Sequence, residues 1–364
     1  MKSVVVFFGG RSVEHDISLI TGVMSVNSIE KDKFNAIPIL VDKDGKWYTG
    51  ESLLDLDNYK NLDFNKLKRV TFINGDNILY QVKGKKLVPI ENIFMALNCM
   101  HGENGEDGSL VGLLRMSGVA YCSPDMLASS ISIDKNFTKI VMKGLNIPTV
   151  KGVLIKNFDE IDGVIQKLGF PMMVKPNLLG SSIGVRRADD KNELIDAINY
   201  ALRYGESAIV EQCLENLTEI NCAVYRNGQE IVVSECEKPI MKGDFLTFND
   251  KYKSGKRVFP ADIDKEYSDK IKSITKKVYQ CLNFNGVIRI DYFLCGDKVY
   301  LNEINSVPGS LAYYLFGDTL KSFSKMLTAL ILQGEGEYLK NCSFVREYNS
   351  GILSGFGAKG SKRL

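Results

Sequence analysis

The stretch from Asn285 to Gly309, NGVIRIDYFLCGDKVYLNEINSVPG, constrains this chain more than any other. Val287–Leu294 and Lys298–Ile304 are rich in apolar residues, and Cys295-Gly296-Asp297 lies between them, so the pattern predicts a β-hairpin. Side chains two apart on a strand share a face, which groups Arg289 with Asp291 and Glu303 with Asn305. If the strands pair across the turn, the two polar faces coincide. Two carboxylates, an amide oxygen and a guanidinium then cluster. The same alternation would serve as the solvated side of an antiparallel hairpin. The apolar neighbours Ile288, Ile290, Tyr292 and Phe293 argue for a central hairpin instead. Oxygen donors of this kind suit a hard cation such as Mg²⁺, whose shell substrate phosphates complete.

Composition sets bounds around that feature. The chain has 364 residues, 45% hydrophobic and 25% charged, which is enough for two or three globular domains. A net charge of +2 implies no strong attraction to nucleic acid or to an anionic membrane. Eight scattered cysteines form no C-x-x-C pair and read as reduced thiols of a cytoplasmic protein. No apolar run is long enough to span a membrane, and the N-terminal apolar run is too short for a secretion signal.

Read in order, Val4–Phe8, Gly9-Gly10 and a helical pattern from about Asp16 to Ile29 open an α/β domain, with Asp16 and Ser18 as helix caps. Strands are expected at Ala36–Asp42 and Gly45–Tyr48, and two more within Ile78–Ile90. Ile93–Leu97 reads as a separate buried strand, and Glu51–Lys68 receives no assignment. His101–Gly108, HGENGEDG, joins a strand to a helix beginning near Ser109; its glycines permit close backbone approach and the helix N-terminus favours anions. Lys135 and Lys139 share one helix face. After the strand Met172–Pro176, the small residues of Asn177–Val185 form a turn suited to wrapping phosphates, without a Walker ending. Ala208–Glu211 is a strand, the polar stretch Lys238–Pro260 a lid or binding loop, Asp264–Leu282 an amphipathic helix and Ser324–Leu332 a closing helix.

The blocks GGRSVEHDIS, HGENGEDG, VKPNLLGSSIGV, DKY, RID and NEINSVPG, in that order over residues 1 to about 335, resemble the ATP-grasp ligases, in particular the D-alanine–D-alanine ligase family. The resemblance implies a three-domain α/β (mixed α+β) ATP-grasp fold. Its parts would be a Rossmann-like substrate domain (1–130), a central ATP-grasp subdomain (131–215), a metal-bearing C-terminal domain (216–340) and a tail (341–364). It implies ATP and two Mg²⁺ (or Mn²⁺) as cofactors, D-alanine as substrate, a role in cell-wall precursor synthesis, and a homodimer in the cytoplasm. By the same resemblance Asp291, Glu303 and Asn305 hold the metals, and Lys135, Lys175, Ser181, Ser182 and Lys251 meet phosphates. Glu211, Leu214 and Glu219 line the nucleoside pocket, and Phe293 belongs to the cofactor-binding set. Glu14 meets the amino group of the first D-alanine, and His101 lies near its carboxylate or the reacting centre. Arg289 and the Gly309 N–H stabilise the oxyanion. Tyr252 contacts Ser181 and Glu14, and a Tyr there implies a peptide product, since the ester-forming ligases carry His. Two departures stand out. Gln212 replaces the commoner Lys after the hinge Glu, and Tyr314, followed by Leu315, replaces the Ser that binds the second carboxylate.

Overall fold

The computed structural model describes residues 1–240, 256–356, 358 and 360. The apolar run Val4–Phe8 forms the middle of β1 (Lys2–Gly9), buried at every residue after Lys2. Gly9 ends it at φ +87°; a Cβ there would sit 2.3 Å from the Val41 carbonyl oxygen, so glycine alone lets the chain turn. α1 (His15–Ser28) follows. Ser18 is not its cap. The hydroxyl is fully buried, accepts from the Gly9 N–H at 2.8 Å and donates to the Cys99 carbonyl at 2.8 Å, tying the helix to two strand ends.

β2 (Phe34–Val41) pairs parallel with β1, and β3 (Trp47–Thr49), β4 (Lys68–Phe72), β5 (Ile78–Lys83) and β6 (Lys86–Asn98) continue antiparallel. β6 is one strand where two were expected. Glu91 and Asn92 go on pairing with Leu79 and Ile78, so no turn interrupts it. Its far half pairs parallel with β1, which closes a six-stranded barrel around the expected parallel core. Glu51–Lys66 forms short 3₁₀ turns.

α2 (Ser109–Met116), α3 (Met126–Ile133) and α4 (Lys135–Gly144) lead to a second sheet. It comprises β7 (Gly152–Ile155), β8 (Met172–Pro176), β9 (Arg186–Ala188) and β10 (Ala208–Gln212), in the order β7-β10-β8-β9. Side chains of α5 (Ile161–Leu168) and α6 (Lys191–Ala201) share its core. The third sheet, in the order β12-β11-β15-β16, is built from β11 (Thr218–Asn227), β12 (Glu230–Val233), β15 (Ile288–Cys295) and β16 (Lys298–Asn305). Between them in sequence lie the two-stranded β13 (Lys238–Pro239) and β14 (Arg257–Val258), then α7 (Lys265–Cys281).

Alternation along β15 decides which side chains reach the site. Ile288, Ile290 and Tyr292 pack with Ile271, Val278 and Tyr279 of α7, and the Tyr292 and Thr275 hydroxyls lie 2.8 Å apart. Each large apolar side chain buried this way contributes about 1.5–3 kcal/mol. The odd-numbered residues are thereby committed to the opposite face. α8 (Leu320–Cys342) closes the molecule against the β1 and β6 core. It extends well past the expected Leu332 because Gly334 belongs inside it. A Cβ there would meet the Tyr121 carbonyl oxygen at 2.7 Å, so this glycine serves close packing and not chain termination. Among the described residues no helix is long and apolar enough to cross a membrane.

Candidate active site

In the β15–β16 ladder Asp291 stands opposite Glu303 and Arg289 opposite Asn305, the coincidence of polar faces that the spacing predicts. Arg289 holds Asp291 bidentately, Nε to Oδ1 at 2.7 Å and Nη2 to Oδ2 at 2.9 Å. Asn305 donates Nδ2 to the Arg289 carbonyl at 3.4 Å. β11 lies on the other side of β15 and sets Asn221 opposite Asp291 and Glu219 opposite Phe293. A bulge interrupts β16: Tyr292 pairs with Leu301 while Asp291 pairs with Glu303, and Asn302 falls between. Asn302 and Glu303 therefore both line one cleft, although strict alternation would send them to opposite faces.

That cleft, of about 750 Å³, lies between the second and third sheets. Lys135, Lys175, Ser182, Glu211, Leu214, Glu219, Phe293 and Glu303 all line it, so the structure gathers eight of the residues singled out from the sequence. Glu211 is its electrostatic centre. Its Oε2 lies 2.6 Å from Lys175 Nζ and its Oε1 2.5 Å from Lys139 Nζ. Burial alone would raise the Glu211 pKa, but the two ammonium groups outweigh it and bring the carboxyl down to about 2. Lys175 also donates to Asn302 Oδ1 at 3.2 Å and lies 5.6 Å from the Phe293 ring centre. Lys135 donates to the Leu179 carbonyl at 2.6 Å and stands 3.7 Å from Glu303 Oε2.

The β8–β9 hairpin carries the small-residue turn. Ser181 and Ser182 both have left-handed backbones, φ +55° and +57°, at a cost of about 1–2 kcal/mol each. The Ser181 hydroxyl donates to Glu14 Oε1, and both residues are buried. This bond joins the start of α1 to the hairpin. Ser181 therefore faces Glu14, and Ser182 is the one that faces the cleft.

Beyond Asn305 the chain enters a turn, Ser306 to Leu315, clamped from the N-terminal domain. Glu106 accepts from the Gly102 N–H at 2.8 Å and the Val307 N–H at 3.2 Å; burial, then the nearby Glu14 charge, raise its pKa to about 8 against those bonds. His101 uses both ring nitrogens on protein partners: Nδ1 lies 2.7 Å from the Val307 carbonyl and Nε2 2.8 Å from Thr21 Oγ1. These contacts place His101 directly behind the Val307–Gly309 turn, which it braces. Burial, opposed by the Val307 bond and helped by Arg289, lowers the His101 pKa to about 4. With 6.5 as its ordinary value, this neutral histidine contributes stability above pH 6.5 that is lost as pH falls toward 4. The full effect is about 3 kcal/mol. Glu106, with its raised pKa, favours the fold as pH falls and so acts in the opposite direction. The difference between wild type and His101→Gln is therefore the measure. The variant's unfolding free energy should gain on that of wild type as pH falls from 7 to 4, and an unchanged slope in the variant contradicts the assignment.

Tyr314 is held from two sides. Arg289 Nη1 donates to its hydroxyl at 3.5 Å, and the Arg257 guanidinium lies 4.5 Å from its ring centre. Arg257 in turn meets the buried Glu237 at 3.3 Å. Leu315 is buried with Ala223 and Ala312. Tyr252 and Lys251 lie outside the described residues. Sequence reasoning gave no site role to Lys139, Asn302, Glu106, Thr21 or Arg257. The i, i+4 spacing of Lys135 and Lys139 was a visible signal for the first; the others are set by contacts distant in sequence.

Two sheets enclosing a cleft, with a lysine-bearing strand on one side and a carboxylate ribbon on the other, are the ATP-grasp fold. Family models described as D-ala D-ala ligase N-terminus and D-ala D-ala ligase C-terminus match residues 3–124 and 141–332. The D-alanine–D-alanine ligase of Thermosipho melanesiensis is 38% identical over 348 residues, 92% of this chain and 94% of that protein. Among solved structures, the D-alanine–D-alanine ligase of Helicobacter pylori superposes with a TM-score of 0.76 at 29% identity, covering 90% of this chain and 98% of the other. The VanG D-Ala:D-Ser ligase of Enterococcus faecalis gives 0.78 at 26%, covering 92% and 99%. The chain belongs to the D-alanine–D-alanine ligase family.

Proposed function

We propose that this protein joins two D-alanines into D-alanyl-D-alanine for peptidoglycan precursors while converting ATP to ADP and phosphate. The observation that carries the reading is the register of β15 on β16, which sets Arg289, Asp291, Glu303 and Asn305 together at the edge of a cleft lined by Lys135 and Lys175. Family membership and the named relatives support the same chemistry.

In this reading Lys175 and Lys135 take ATP phosphates, and Ser182 covers them from the hairpin. Leu214 and Phe293 enclose the base, and Glu219 accepts from the ribose hydroxyls. Lys251 belongs to the phosphate set and Tyr252 to the closing loop. Asp291, Glu303 and Asn305 fit a hard divalent cation: two carboxylates and an amide, on two register pairs two residues apart. Mg²⁺ or Mn²⁺ held there supplies charge neutralisation for phosphoryl transfer, a pair of ions in the family's pattern. Glu14, oriented by Ser181, holds the amino group of the first D-alanine, whose carboxylate attacks the γ-phosphorus to give an acyl phosphate and ADP. The amine of the second D-alanine then attacks the acyl carbon, and phosphate leaves. Arg289 and the Gly309 N–H receive the oxyanion, a donor class worth about 3 kcal/mol each. Tyr314 and Leu315 bound the acceptor. The homodimer and the cytoplasmic location rest on the family resemblance alone.

The test is mass spectrometry of products from ATP, D-alanine and a mixture of D-amino acids. D-alanyl-D-alanine as the main product supports the reading. A mixed dipeptide such as D-alanyl-D-serine keeps the ligase chemistry and overturns the acceptor. ATP turnover without any dipeptide overturns both.

A further inference from the structure

We infer that Thr21 is a positioning residue for the second half-reaction, an inference that rests on the ligase reading above. Thr21 is fully buried on α1. Its Oγ1 lies 2.8 Å from His101 Nε2 and accepts from the Ser310 N–H at 3.0 Å. The Val307 carbonyl, 2.7 Å from His101 Nδ1, can only accept, so Nδ1 carries the proton. Nε2 is then an acceptor, and the Thr21 hydroxyl donates to it while its lone pair receives the Ser310 N–H. One hydroxyl performs both tasks, which an alanine or valine at that position cannot do.

The relay holds Val307 and Ser310, and Gly309 lies between them. Ser310, Leu311 and Ala312 all have left-handed backbones, φ 52°, 49° and 50°. Three consecutive residues of this kind persist only where their surroundings hold them. The clamps on this turn named above, Thr21, His101 and Glu106, come from the N-terminal domain. With Thr21 truncated, the turn relaxes and carries the Gly309 N–H away from the acyl carbon. α1 also presents Glu14 two turns earlier, about 10 Å along the helix. One rigid helix therefore sets the place of the donor's amino group and, through Thr21, the oxyanion donor and the acceptor pocket.

Thr21→Ala and Thr21→Ser in the full chain test this. Steady-state rates with ATP and varied D-alanine separate the donor and acceptor constants, and calorimetry measures ATP affinity on the same samples. Thr21→Ala should lower kcat by about 10- to 100-fold and raise the acceptor constant, because a displacement of about 1 Å costs that much. ATP affinity should stay within about twofold, and Thr21→Ser should restore kcat to within about threefold. Wild-type kcat and acceptor constant in Thr21→Ala would overturn the inference. So would a Thr21→Ser protein as impaired as Thr21→Ala, or a parallel loss of ATP affinity marking a general defect. Absence of D-alanine-dependent ADP release in the wild-type protein would instead strike the ligase reading itself, before any variant is compared.

Discussion

Asp291→Asn and Glu303→Gln should each reduce D-alanine-dependent ADP release by about 10³-fold or more. The two carboxylates face each other across the β15–β16 ladder and supply both negative charges of the proposed cation site. Neutralising either removes several kcal/mol of charge stabilisation from phosphoryl transfer, and each 1.36 kcal/mol is tenfold in rate. Asparagine at 291 keeps the size of the side chain and one acceptor for Arg289, so the fold should survive. Unfolding midpoints within a few degrees of wild type would separate a chemical loss from a structural one. Near-normal turnover in both variants would remove the cation site from the mechanism.

Glu211→Ala should be the most destabilising single change in the cleft. It leaves Lys139 and Lys175, each only about a tenth exposed, without their shared counter-charge. Breaking a buried pair this way costs about 3–5 kcal/mol, because the orphaned charge keeps its desolvation penalty. Urea unfolding at pH 7 measures it, and a loss below about 1 kcal/mol would contradict the account. The pH dependence has a definite sign. The Glu211 pKa is about 2 in the fold against 4.5 ordinarily, so its contribution is full above pH 4.5 and lost as pH falls toward 2. The variant should lack that acid-side loss.

The functional ribbon was legible because strand periodicity is local. Arg289 and Asp291 fall on one face, Glu303 and Asn305 on another, and a turn at Gly296 is enough to bring the faces together. The hairpin at Ser181 and the turn at Gly9 were legible for a similar reason: small residues end an apolar run. What failed was whatever depends on distant partners. β6 read as two strands because nothing local shows that Glu91 and Asn92 keep pairing with β5. α8 runs past the expected Leu332, and nothing local shows that Gly334 packs inside it against Tyr121. Asn302 gives no local sign of reaching the cleft, because the bulge that brings it there breaks the two-residue period. The roles of Thr21 and His101 rest on contacts 80 and 289 residues apart in sequence, beyond any local pattern.

The central claim is that a D-alanine carboxylate is activated by the γ-phosphate of ATP in this cleft. Supplying D-alanine labelled with ¹⁸O in its carboxylate and analysing the products by mass spectrometry tests it most directly. The account predicts one ¹⁸O in the released phosphate for each dipeptide formed, and none in ADP. Unlabelled phosphate accompanying labelled dipeptide would contradict it, since the carboxylate would then never have been bonded to phosphorus.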